Sequence, residues 1–144
     1  MLGALTCALL CAPAWAALGG SATSVETDRQ HMKGQLRMSA APEGYTVQEI
    51  TTPAGTVVRE YVSATGQVFA VSWRGPVMPN LRQMLGAYFA RYAAAAAAPH
   101  PGHRHLNIEQ PDLVIHSAGH MRNFFGSAYL PGMLPANLAV DAIK

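Results

Sequence analysis

The stretch Tyr45–Gly75, YTVQEITTPAGTVVREYVSATGQVFAVSWRG, decides the fold class. It holds three runs of β-branched and aromatic residues: Tyr45, Val47 and Ile50; then Val57, Val58, Tyr61 and Val62; then Val68, Phe69, Val71 and Trp73. Pro53-Ala54-Gly55 and Ser63-Ala64-Thr65-Gly66 separate them, each ending in a glycine that can take the positive φ of a tight turn. The pattern predicts a three-strand antiparallel meander. The third run alternates, with Phe69, Val71 and Trp73 on one face and Ala70, Ser72 and Arg74 on the other, so one face should cover a core. The second run alternates less well, and a bulge near Arg59 is the expected reason.

Downstream, Leu81, Met84, Leu85, Tyr88, Phe89 and Tyr92 recur at helical spacing and predict an amphipathic helix over Pro79–Ala95. Pro79 suits a helix start, where its missing N–H would be unpaired in any case. The aromatic stripe needs a partner, and the Phe69/Val71/Trp73 face is the natural one. Upstream, Ser24 as N-cap with Glu26 and Asp28 in the first turn suits a short helix over Val25–Lys33. A first short strand follows at Leu36–Ala40. After the breaker-dense loop Pro99–Arg104, Leu106–Ile108, Leu113–Ser117 and His120–Phe125 read as further short strands, with turns at Asp112 and Ala118-Gly119. Ser127–Leu130 continues the last strand, and a short piece at Ala139–Ile143 closes the chain. The expected fold is α+β: an antiparallel sheet, a three-strand meander plus later short strands, packed against one main amphipathic helix.

At 144 residues the chain is one domain in size. Residues 1–16, MLGALTCALLCAPAWA, form an uncharged apolar run ending in an A-x-A cleavage pattern. The run is shorter than the roughly 20 residues that span a bilayer, so it reads as a cleaved signal peptide, leaving a single α+β domain over 17–144. Both cysteines, Cys7 and Cys11, fall in that segment. The remainder has no disulfide, thiolate nucleophile or cysteine zinc site. The net charge is +2, and the basic residues are spread singly, without the Lys/Arg cluster of a nucleic-acid footprint.

The blocks GYTVQEI at 44–50, GTVVREYV at 55–62, VFAVSWRGP at 68–76, LRQMLGAYF at 81–89 and HSAGHMR at 116–122 resemble an uncharacterised bacterial family, domain-of-unknown-function family 2844. Its members are secreted proteins, mainly from proteobacteria. The resemblance runs from about Ser24 to Ile143. It implies export past the inner membrane and a compact single domain, and it brings no activity, ligand or catalytic residue.

Candidate chemistry centres on the histidines. His100, His103 and His105 crowd the loop PHPGHRH, and His116 and His120 follow on the later strands. Imidazole is the commonest protein ligand for Zn, Cu and Ni, and a hairpin between His116 and His120 would bring them together. The spacing matches no defined zinc motif, and solvated loop histidines explain the tract as well. Ser117, His120 and Asp112 gather hydrolytic residue types but lack the G-x-S-x-G elbow. Glu49 and Glu60 could face each other across the meander, although a solvated sheet face with Arg59 and Arg74 nearby accounts for both. Tyr45, Tyr61, Phe69, Trp73, Tyr88, Phe89 and Tyr92 would line a groove or, more commonly, fill a core. No glycine motif cradles a phosphate. The leading expectation is an exported, periplasmic or secreted, non-enzymatic envelope protein that binds a partner protein or ligand through an open sheet face or edge. The alternative is a periplasmic metal-binding protein.

Overall fold

The computed structural model describes residues 18–99, 102 and 105–144. The apolar segment 1–16 expected to be a signal peptide, His100 and His103 lie outside them. Helices before the first strand and between the fourth and fifth cover one face of the sheet. Helix α1 (Val25–Met32) precedes strands β1 (Gln35–Ala40), β2 (Thr46–Thr51), β3 (Val57–Val62) and β4 (Val68–Gly75). Helices α2 (Leu81–Leu85) and α3 (Phe89–Ala97) follow, and β5 (His105–Gln110), β6 (Leu113–His120) and β7 (Asn123–Tyr129) complete one seven-stranded sheet. Its order is β1-β2-β3-β4-β7-β6-β5, with every neighbour antiparallel. The expected meander is β2-β3-β4. The later strands are longer than expected and join the same sheet through β7, beside β4.

The sheet therefore dominates, and the main helix is two. Gly86 has φ +50° and breaks the expected Pro79–Ala95 helix into α2 and α3, joined by a 3-10 turn. A mid-helix glycine is the weakest point of such a run, at about 1 kcal/mol against alanine. The break turns Leu81, Met84 and Leu85 fully into the core and leaves Tyr88, Phe89 and Tyr92 half-buried over it. The N-cap of α2 is Asn80, whose side chain accepts from Gln83 N at 3.2 Å. At the other helix, a 3-10 turn over Ala22–Ser24, capped by Ser21, precedes α1.

Two further expectations shift. The bulge lies at Tyr61/Val62, where Tyr61 pairs with Ala70 and Val62 with Val68, leaving Phe69 as the extra residue. The parity of β4 flips there. Val71 and Trp73 face the helices, together with Val58, Ile50, Ile115 and Ala128, whereas Phe69 joins Tyr45 and Tyr61 on the opposite face. The second correction is the last hairpin. His120 ends β6, and the turn is Met121-Arg122, with φ of +43° and +67°. Two consecutive positive φ values are the type I′ geometry that favours Asn-Gly, so a non-glycine pair there gives no sequence signal. Gly119, the expected turn residue, is needed for another reason: a Cβ on it would stand 2.3 Å from Phe124 Cδ1.

The helix-free face is half covered. Residues 131–144 run back over it, and Leu134, Leu138 and Ile143 pack on Tyr45, Tyr61, Phe69 and Tyr129. Tyr61 and Arg59 hold the end of this segment. The Tyr61 hydroxyl accepts from Lys144 N at 3.1 Å, and Arg59 Nη1 donates to the Lys144 carbonyl at 2.7 Å.

Candidate functional site

Residues paired across neighbouring strands share a face of a sheet. On the helix-free face this places one polar row across all seven strands: Arg37, Glu49, Arg59, Ser72, Ser127, His116 and Asn107, each opposite the next. A parallel row beside it carries Arg74, Phe125, Ala118 and His105. The residues 131–144 cover the other flank, so the exposed rows end in a cavity of about 210 Å³ against Ile143 and Lys144. Arg74, His105, Asn107, His116, Ser127 and Lys144 supply its polar lining, and Phe125 its main apolar wall. No Asp or Glu is among the described lining residues.

The cavity is partly organised by its own side chains. His116 Nδ1 lies 3.2 Å from Asn107 Oδ1. An amide oxygen can only accept, so Nδ1 carries the proton and Nε2 is free of that bond. The Arg74 guanidinium sits 5.8 Å from the centre of the Phe125 ring. Among the described residues Arg29, Arg59 and Arg91 each pair with a carboxylate, while Arg74 pairs with none.

His105 and His116 therefore meet at one cavity. His105 pairs with Ala118, two residues from His116, which makes the two histidines diagonal neighbours, roughly 7–8 Å apart along the backbone. His120 does not join them. It is on the same strand as His116, and four residues of extended chain separate them by about 13 Å. The expected hairpin between them does not exist. Among the described residues no group of three His, Cys, Asp or Glu side chains is placed to hold a metal ion.

The hydrolytic grouping comes apart in the same way. Ser117 is buried toward the helices, His120 alternates to the opposite face, and Asp112 is held in a two-bond ion pair by Arg91 at 2.9 and 3.0 Å. The two glutamates also part. Glu49 pairs with Arg59 at 2.8 Å on the helix-free face, whereas Glu60 points the other way into the core.

Glu60 has a different acidic partner. Asp28 on α1 and Glu60 on β3 are both fully buried, with Gln83 of α2 beside them. Gln83 Nε2 donates to Asp28 Oδ1. Among the described residues no other side chain donates to Asp28 Oδ2 or to either Glu60 oxygen, so the two acids can share a bond only if one carries a proton, which serves one oxygen of each and leaves the second Glu60 oxygen without a donor. Burial pushes Glu60 up to about 8, and the Asp28 charge and the shared bond add to it. Burial also raises Asp28, to about 6, against the pull of the Gln83 bond and the His31 charge. At neutral pH the pair thus holds one proton, chiefly on Glu60. Acid–base chemistry needs a substrate in reach, and neither carboxyl is among the described residues lining the cavity of about 360 Å³ that Gln83 and His31 border.

A signal for this pair existed. Asp28 is three residues after Val25 and four before Met32, on the apolar stripe of α1, and Glu60 alternates with Val58 and Val62. A charge on an apolar stripe is the informative exception.

Fold and surface together define a single-sheet α+β domain with helices on one face and a polar, partly covered face on the other. The chain belongs to the family described as "Protein of unknown function (DUF2844)", whose model matches residues 14–143. No curated protein and no solved structure matches it. Among the described residues no helix is long and apolar enough to cross a membrane.

Proposed function

We propose that this protein is an exported, non-enzymatic binding module of the bacterial envelope that engages its ligand on the helix-free face of the sheet. The observation that carries the reading is the cavity of about 210 Å³, lined by Arg74, His105, His116 and Lys144 with no Asp or Glu among its described residues. Among the described residues the buried acids, Asp28 and Glu60, lie beneath the helices instead. Export is supported by the apolar 1–16 segment with its A-x-A ending.

Two measurements test this. Osmotic-shock fractionation of cells making the full chain should release a processed protein starting near Ala17; an unprocessed chain kept in the cytoplasm refutes export. Titrating the isotopically labelled protein with the small-molecule fraction of a periplasmic extract should shift amide signals of Asn107, His116, Phe125 and Ser127. Shifts confined to the helical face would refute the assignment of the binding face.

The second reading, a metal-binding protein, is favoured by one observation: His105 and His116 line the same cavity. Calorimetric titration with Zn(II), Cu(II) and Ni(II) should then give sub-micromolar binding that His105→Ala and His116→Ala each abolish. Weak binding, or binding indifferent to those changes, removes it.

A further inference from the structure

We propose that the cavity takes a small organic anion, its carboxylate toward Arg74 and Lys144 and its apolar body against Phe125 and Ile143. This rests on the reading of the helix-free face as the binding face. The first argument is charge. Arg74, Lys144 and two histidines border the space, and no Asp or Glu is among the described lining residues. The Arg59 side chain, the next cation along the polar row, is already engaged by Glu49 and by the Lys144 carbonyl, so it cannot serve the cavity. Arg74 has no such partner among the described residues. A guanidinium offers paired donors in one plane and meets a carboxylate through two bonds at once.

The second argument is the division of the walls. Phe125, Ala118 and Ile143 are apolar, while Ser127, Asn107 and His116 are polar. Fixation of the His116 ring by Asn107 aligns an imidazole along one wall without spending its second nitrogen. An inorganic anion would leave the apolar wall unused. A cavity of about 210 Å³ is on the scale of a small carboxylic acid rather than a nucleotide. The walls are contributed by β4, β5, β6 and β7 and by the end of the 131–144 segment, so the site is tertiary and has no sequence motif.

The test is an NMR titration of the labelled protein with three probes: benzoate, the uncharged isostere benzamide, and inorganic phosphate. Benzoate should shift the amides of Asn107, Phe125, Ser127 and Lys144, and benzamide should not. Arg74→Gln should weaken benzoate about tenfold or more, as loss of a charge-assisted bond does. Arg74 is exposed, and Lys144→Gln is a second variant that leaves the sheet intact; it should weaken benzoate in the same direction. Equal binding of benzamide would overturn the anion proposal and leave the binding face standing. Phosphate binding without benzoate binding would overturn the organic class. If no probe moves these signals while the periplasmic fraction does, the proposal falls and the reading of the face survives. If neither does, both fall.

Discussion

Replacing Glu60 by Gln should flatten the dependence of stability on pH. Glu60 is fully buried, and its carboxyl is raised from 4.5 to about 8, first by burial and then by the Asp28 charge and the bond to Asp28. A group bound to its proton more tightly in the fold stabilises the fold fully below its unfolded value, and that contribution is lost as pH rises toward the folded value. Stability should therefore fall between about pH 4.5 and pH 8. Each unit is worth about 1.4 kcal/mol, so the complete loss is roughly 5 kcal/mol, and the part between pH 5 and pH 7 is roughly 2 to 3 kcal/mol. Asp28, raised from 3.8 to about 6, adds to the decline at the acidic end of that window. Against the 5–15 kcal/mol that typically separates folded from unfolded states, this is a large fraction. In Glu60→Gln the amide keeps the shape and donates to Asp28 at any pH. Urea unfolding followed by circular dichroism at pH 5, 6, 7 and 8 should show a steep decline for the parent and a shallow one for the variant. The variant should be the more stable of the two at pH 8 by roughly 3 kcal/mol or more. Parallel profiles for the two proteins would refute the claim that a proton is held between Asp28 and Glu60.

Two stability predictions follow from backbone and packing. At Gly126, a Cβ would stand 2.3 Å from Trp73 Cζ2 and 2.5 Å from the His116 carbonyl. Gly126→Ala should therefore cost about 1–3 kcal/mol, read as a lowered denaturation midpoint with an accompanying change in tryptophan fluorescence. Asn80→Ala removes the cap that accepts from Gln83 N and should cost about 1 kcal/mol by the same unfolding assay. An unchanged midpoint would show that α2 does not depend on its cap.

Local order was legible wherever one periodicity ruled a segment. The meander turns at Gly55 and Gly66, with φ of +87° and +80°, fall where glycine and its neighbours mark them. The Leu81–Leu85 core stripe is equally plain, because helical spacing and burial agree. Errors arose where one residue interrupts a pattern. Gly86 divides the helix, Phe69 reverses the face of β4, and Met121-Arg122 makes a turn that carries no glycine.

The cavity was half visible. His105 and His116 stood out by residue type, and their shared border follows only from β5 pairing with β6. Arg74 and Phe125 were visible as residues, but their meeting requires β7 to return beside β4. The sequence by itself determined which segments would be strands, where most turns close and which helix stripe is apolar, because those depend on side-chain spacing over a few residues. The tertiary structure alone decided that Asp28 meets Glu60 across 32 positions, that residues 131–144 cover one flank of the sheet, and that four strands wall one cavity. Those pairings join residues distant in the chain, and they are selected by the burial of the whole sheet rather than by any local preference.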